Sequence, residues 1–173
     1  MNLPNLDTPS GIVDLDLLDA NIHRLQAYLD KHGIANRPHI KTHKIPAIAQ
    51  MQMDAGAVGI TCQKIGEAEV MADAGISDIF LPYNIVGEPK LARLVELARR
   101  TTLSVTADSA TVVRGLSDAA QRARLTLTVL VECDLGGKRC GVQSPAQAAD
   151  LARLIAQSPH LHFGGLMTYP NTE

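Results

Sequence analysis

From residue 37 onward, short β-branched runs alternate with longer segments of helical periodicity, and no two-residue hairpin signal joins any pair of runs. Such a chain has few ways to fold. Parallel strands need crossover connections, the crossovers carry helices, and their handedness is fixed, so the alternation implies stacked βα units around a parallel sheet.

The units can be read in order. Arg37 to Lys41 reads as a short strand, Pro46 opens a helix, and Gly56 closes it. Strands are expected at Ala57 to Thr61, Asp78 to Leu81, Leu103 to Thr106, Leu125 to Glu132 and His162 to Thr168. Helices are expected at Gly66 to Ala74, at Pro89 to Arg100, from an Asp108 or Ser109 cap to about Arg122, and after the Ser144-Pro145-Ala146-Gln147 capping box. Ahead of them, Gly11 to Leu15 reads as a strand entering a helix that Asp16 can cap, with Leu18, Ile22, Leu25 and Leu29 on one face. The expected fold class is therefore α/β, a parallel (β/α) TIM-type barrel spanning residues 1–173 as one domain. About six of the eight units of a closed barrel are present, and a closed barrel typically takes about 250 residues. The expectation is an incomplete barrel with open sheet edges, either a fragment or a shortened protein that closes by association.

The densest stretch is Arg37-Pro38-His39-Ile40-Lys41-Thr42-His43-Lys44-Ile45-Pro46. Side chains alternate along a strand, so His39 and Lys41 share one face and Ile40 takes the other. If Ile40 faces the helices, Lys41 projects inward at the C-terminal end of its strand, where parallel barrels place their chemistry. A shielded lysine there is an amine nucleophile toward a carbonyl; a lysine at a strand end also simply snorkels to solvent.

Further along, Glu132-Cys133-Asp134-Leu135-Gly136-Gly137-Lys138-Arg139-Cys140-Gly141 is a glycine-rich βα loop in which Arg139 either holds an oxyanion or stays solvated. Tyr169 falls at the rim after the last strand, to stack on a ligand ring or pack on its neighbours. Gln63 is a polar pocket contact or a turn amide, and Glu67 and Glu69 suit the N-terminal dipole of their helix. His39 with His43, and His160 with His162, lack the one-face geometry and third ligand of a metal site, so no metal is assigned to them.

The bulk numbers exclude several classes. A net charge of −2 and a pI near 6.3 give no footprint for nucleic acid or an anionic membrane. Aromatics make up 3% with no Trp, too few for a base-stacking platform. Cys62, Cys133 and Cys140 form no CxxC pair, and the N-terminus lacks a basic, then apolar, leader, so a reducing cytoplasm without a membrane span is expected. Hydrolase elbows, Walker loops and dinucleotide fingerprints are missing.

The stretch Arg37 to Lys44, with Gly56-Ala57-Val58-Gly59 and Gln63-Lys64-Ile65-Gly66-Glu67-Ala68-Glu69, resembles the N-terminal half of the D-threonine aldolase and D-serine dehydratase family. These are pyridoxal 5'-phosphate enzymes with an alanine-racemase-like barrel, and the likeness runs from about Thr8 to Tyr169. The resemblance implies that Lys41, first lysine of the K-T-H-K run, carries the cofactor covalently on its amine. It implies that Arg139 contacts the cofactor's phenolic oxygen, and His39, Gln63 and Tyr169 are the further candidates for contact with the cofactor there. It also implies a lyase on D-3-hydroxy amino acids: either Cα–Cβ cleavage to glycine and an aldehyde, or Cα–H cleavage followed by loss of the β-hydroxyl. Racemisation, a non-catalytic cofactor-binding module and an inactive fragment are the alternatives. In the family, divalent-metal ligands lie in a C-terminal β domain absent from this chain, and complete members pair as homodimers. One departure stands out: Tyr169-Pro170-Asn171 replaces the family's more usual Tyr-His-Gly.

Overall fold

The computed structural model describes residues 6–169. Its centre is one parallel sheet of five strands in sequential order: β1 (Ile60–Thr61), β2 (Asp78–Leu81), β3 (Thr102–Ala107), β4 (Leu127–Cys133) and β5 (Leu161–Thr168). Helices α1 (Leu15–Lys31), α2 (Pro46–Asp54), α3 (Ile65–Asp73), α4 (Glu88–Ala98), α5 (Ala110–Ala123) and α6 (Pro145–Gln157) complete it. The parallel βα architecture read from the alternation is therefore present as a partial barrel.

The register explains how the sheet presents its faces. Ile60 pairs with Ile79 and Ile79 with Leu103, while Leu81 pairs with Val105 and Val105 with Val129. These apolar rows are buried, and they share a core with Leu94 of α4, Leu116 of α5 and Ile155 of α6. The opposite parity carries Phe80, Ser104, Thr106, Thr128, Leu130 and Glu132, so the inner face is the more polar one.

Helix ends follow their local chemistry. The Ser109 hydroxyl caps α5 by accepting from the Val112 amide, and Ser144 caps α6 by accepting from the Gln147 amide, with Pro145 at the first position. In the second case the Gln147 side chain accepts from the Gln143 amide at 2.7 Å, one residue ahead of the usual box.

Two sequence expectations are corrected. Gly11 to Leu15 is not a strand, because no neighbouring strand offers it a ladder; Asp14, not Asp16, caps α1 by accepting from the Leu17 amide at 3.1 Å. The expected strand at Arg37 to Lys41 shrinks to a single parallel bridge between His39 and Thr61, so the sheet has five strands and not six. After that bridge, the amides of His43 and Lys44 both turn back to the Ile40 carbonyl, closing a 3-10 turn over Ile40–Thr42. The strand cannot continue once those amides are consumed.

The apolar stripe expected on α1 is only half-buried at Leu18, Ile22 and Leu29, and Leu25 is exposed. On β5 every second residue is exposed, Leu166 at 62%, so the open edge that the strand count implies is real among the described residues. No helix of the described residues is long and apolar enough to cross a membrane.

Leu116 is fully buried, so Leu116→Ala should cost about 3 kcal/mol through lost contacts and a residual cavity. Ser109→Ala should cost about 1 kcal/mol through the lost cap. Urea unfolding followed by circular dichroism checks both, and equal costs would show that α5 is held by its cap and not by packing.

Candidate active site

Lys41 reaches the site because of how its turn is built. The Thr61 amide donates to the Pro38 carbonyl at 2.8 Å, which docks this segment beside β1, and Ile40 is fully buried in the helix-side core. Arg37 adds a second anchor through a 2.6 Å ion pair with Asp78 at the start of β2. His39 then takes the inner parity, as Thr61 and Phe80 do. Its Nδ1 accepts from the Lys41 amide at 3.2 Å, holding the 3-10 turn that carries the lysine.

Burial first, and the Lys41 charge second, hold the His39 imidazole below its ordinary value of 6.5, while a hydrogen bond with the Gln63 side chain opposes them. His39 is therefore the neutral tautomer accepting at Nδ1 near neutral pH. Gln63 serves twice, since its backbone amide also donates to the Glu67 carboxylate at 2.8 Å. Glu67 is 7% exposed and ion-paired with Lys44. Burial alone would raise its carboxyl, but Lys44 and the Gln63 amide outweigh it and hold the group below the ordinary carboxylate range. Glu67 lies in the first turn of α3, where its charge suits the helix dipole as expected, and it has specific partners besides; Glu69 accepts from Arg93 of α4 through both oxygens.

The second half of the site follows β4. The Asp134 carboxylate accepts from the amides of Gly136 and Lys138, and the Gly141 amide donates to Asp108, so the loop is pinned at three points. Gly141 has φ +102, and a Cβ there would lie 2.6 Å from the Asp134 nitrogen. Arg139 projects from this loop and places its guanidinium 5.2 Å from the centroid of the Tyr169 ring. Lys41 Nζ lies 5.6 Å from the same centroid. A phenol ring between two cations is worth roughly 0.5–1 kcal/mol for each at exposed sites.

Tyr169 arrives there because of a bulge. Phe163 pairs with Val129, but Gly165 pairs with Leu130, so Gly164 is an extra residue that reverses the parity of everything after it. Met167 is brought opposite Glu132, and Tyr169 takes the inner parity that unbroken alternation would have denied it. Only glycine fits: a Cβ on Gly164 would lie 2.5 Å from Thr128 Cγ2, and Gly165 has φ +123.

Arg139 and Tyr169 line a cavity of about 180 Å³ with Glu132, Cys133, Asp134, Gly137 and Cys140. Lys41, His39 and Gln63 do not line it; they form a neighbouring cluster that meets it at the Tyr169 ring. Two residues of this cavity escaped sequence reasoning. Glu132 is 2% exposed, with Oε1 accepting from the Cys140 thiol at 2.9 Å and Oε2 without a partner. Its signal was a lone carboxylate at the end of the apolar run Leu127 to Val131. Among the described residues no group of three His, Cys, Asp or Glu side chains is arranged to hold a metal ion. Cys62 is buried, and burial pushes its thiol up to about 12, so it is inert.

Residues 13–173 match the family model for the alanine racemase N-terminal domain. D-threonine aldolase from Arthrobacter sp. is 43% identical over 167 residues, 96% of this chain and 44% of that protein. D-threo-3-hydroxyaspartate dehydratase from Delftia sp. (strain HT23) is 34% identical over 165 residues, 95% of this chain and 42% of that protein. The crystal structure of D-threonine aldolase from Filomicrobium marinum superposes with a TM-score of 0.91 at 44% identity, covering 92% of this chain and 43% of that one. The chain thus spans less than half the length of these relatives.

Gly165→Ala should strain the bulge and displace Tyr169 from the two cations, read as a change in its fluorescence quenching by iodide; an unchanged Tyr169 would leave the bulge without a role in the site. The histidines also set a pH dependence. His39 and His43 are both held below 6.5 in the folded state, chiefly by burial, so the unfolded chain binds more protons as the pH falls through that value. Stability should therefore decline below pH 6.5, and Glu67, depressed from 4.5, adds a further loss below that pH. Urea midpoints between pH 8 and pH 4 check this, and His39→Gln should flatten the upper part of the slope.

Proposed function

The chain belongs to the alanine racemase N-terminal domain family, and from that premise we propose that it carries the cofactor half of a pyridoxal-phosphate lyase acting on D-3-hydroxy amino acids. The observation that carries this reading is the meeting of the Lys41 amine and the Arg139 guanidinium at the Tyr169 ring.

The family uses pyridoxal phosphate, and the residues present fit it. A primary amine suits its aldehyde, a guanidinium suits its phenolic oxygen, and an exposed phenol ring gives its flat face a platform. The bound cofactor would supply an electrophilic carbon for amines and a sink for electrons released at Cα. Lys41 would be the catalytic residue, presenting its amine to that carbon from a turn that His39 holds by the backbone. Gln63 would keep His39 oriented, and the neutral imidazole adds no competing positive charge beside the amine. Arg139 would hold the phenolic oxygen, and Tyr169 would cover the ring and exclude water from it.

The substrate class rests on the relatives. D-threonine aldolase and D-threo-3-hydroxyaspartate dehydratase are both named for D-3-hydroxy amino acids, one for carbon–carbon cleavage and the other for dehydration. Cleavage of D-threonine to glycine and acetaldehyde is the favoured reaction, since the aldolases are the more similar in both sequence and structure. Any divalent metal would come from residues outside this chain, and a D-amino acid would be its partner in a homodimer of the complete protein.

Incubation with pyridoxal phosphate followed by desalting should leave a yellow absorbance band that Lys41→Ala abolishes, together with at least a ~10³-fold loss of any lyase activity. A band that survives Lys41→Ala sinks the assignment of the lysine. Absence of acetaldehyde from D-threonine, with the band intact and divalent metal supplied, sinks the aldolase reading alone.

A further inference from the structure

The buried carboxylate of Glu132 is the least satisfied group in the site. Its Oε1 accepts only a thiol proton, and Oε2 has no partner although the residue is 2% exposed. A thiol is a weak donor, so one S–H does not compensate a desolvated carboxylate. Arg139, which lines the same cavity, has the complementary deficit. Among the described residues no salt bridge holds it; its π face meets Tyr169, and its fork reaches the Cys140 sulfur. A guanidinium has five N–H groups in one plane, so donors remain beyond the one that meets the thiol. Cys140 stands between the two, bonded to the carboxylate and next to the arginine in the chain.

We propose that Glu132 and Cys140 are positioning residues for Arg139: the thiol links the buried carboxylate to the guanidinium, and Glu132 Oε2 receives an Arg139 N–H when an anionic ligand draws the fork into the cavity. The carboxylate then carries two donors, and Arg139 is aimed from behind while its other N–H groups face the ligand. The pinned loop supports this, because bonds at Asp134 and Asp108 fix the backbone on both sides of Arg139 and leave only its side chain to be oriented. The thiol registers both neighbours. Burial raises it, Glu132 raises it further, and Arg139 opposes them. The other charged or titratable groups around this loop are Cys133, Asp134, Lys138, Asp108, Tyr169 and Lys41.

Two measurements decide the matter, and only the second rests on the cofactor reading. The first is the pH profile of Cys140 alkylation by iodoacetamide, assigned by peptide mapping, in the intact protein, Glu132→Gln and Arg139→Met. Loss of one charge-assisted hydrogen bond should make Glu132→Gln react roughly tenfold faster at pH 8, and Arg139→Met should react more slowly. Superimposable profiles would overturn the network. The second is pyridoxal-phosphate affinity by absorbance titration. Cys140→Ala and Glu132→Gln should bind roughly tenfold more weakly, and Cys140→Ser, which keeps a donor, should restore affinity. Unchanged affinity in Cys140→Ala, with the band still lost in Lys41→Ala, would overturn the positioning role while leaving the cofactor site standing. If the unsubstituted protein shows no band, the cofactor reading fails, and the alkylation profiles alone confirm or overturn the network.

Discussion

The structure depends on the parity of its strands. Each parallel pair from β1 to β4 is in register, so Ile60, Ile79 and Leu103 form one buried row and Leu81, Val105 and Val129 another. Shifting any strand by one residue would turn its apolar set away from the helices and lose roughly 1.5–3 kcal/mol for every large side chain exposed. That penalty fixes the register, and the register in turn decides which residues face inward. His39, Phe80, Thr106 and Glu132 occupy inner positions because Ile40, Ile79, Val105 and Val131 occupy outer ones.

Where the inner parity meets the C-terminal ends of the strands, the chain concentrates charge. Lys41 and Arg139 bring two cations to the same ring, and Glu132 is desolvated. A phenol ring between the cations and a thiol against the carboxylate moderate the cost without neutralising it. Such incomplete compensation is characteristic of sites prepared for a ligand carrying the missing charge. The site is also tied to the body of the fold, since Glu67 links α3 to Lys44 and the Gln63 amide, just beyond the turn that carries Lys41.

The βα alternation, the helix caps at Ser109 and Ser144, and the inward placing of His39 were legible in the chain, because each rests on local periodicity or on a side chain bonding within a few residues. The first strand was less legible. Its residues favour extended geometry, but the amides after Ile40 found an intrachain acceptor, and a 3-10 turn replaced the ladder. The role of Glu132 was not legible at all, since a carboxylate closing an apolar run reads equally as a solvated strand end. Only burial and the approach of Cys140 from eight residues away distinguish the two.

The sequence by itself determined the fold class and the family, for these follow from residue periodicity and from a contiguous motif. Residue periodicity did not bring Lys41, Arg139 and Tyr169 together; the family resemblance implied it, and the tertiary structure gives the geometry by which both cations meet one ring. The physical reason is long-range register. The Gly164-Gly165 bulge against Val129 and Leu130 reverses the pleat and brings Tyr169 inward, and strand alternation read along one chain cannot reveal a residue that its neighbour leaves unpaired.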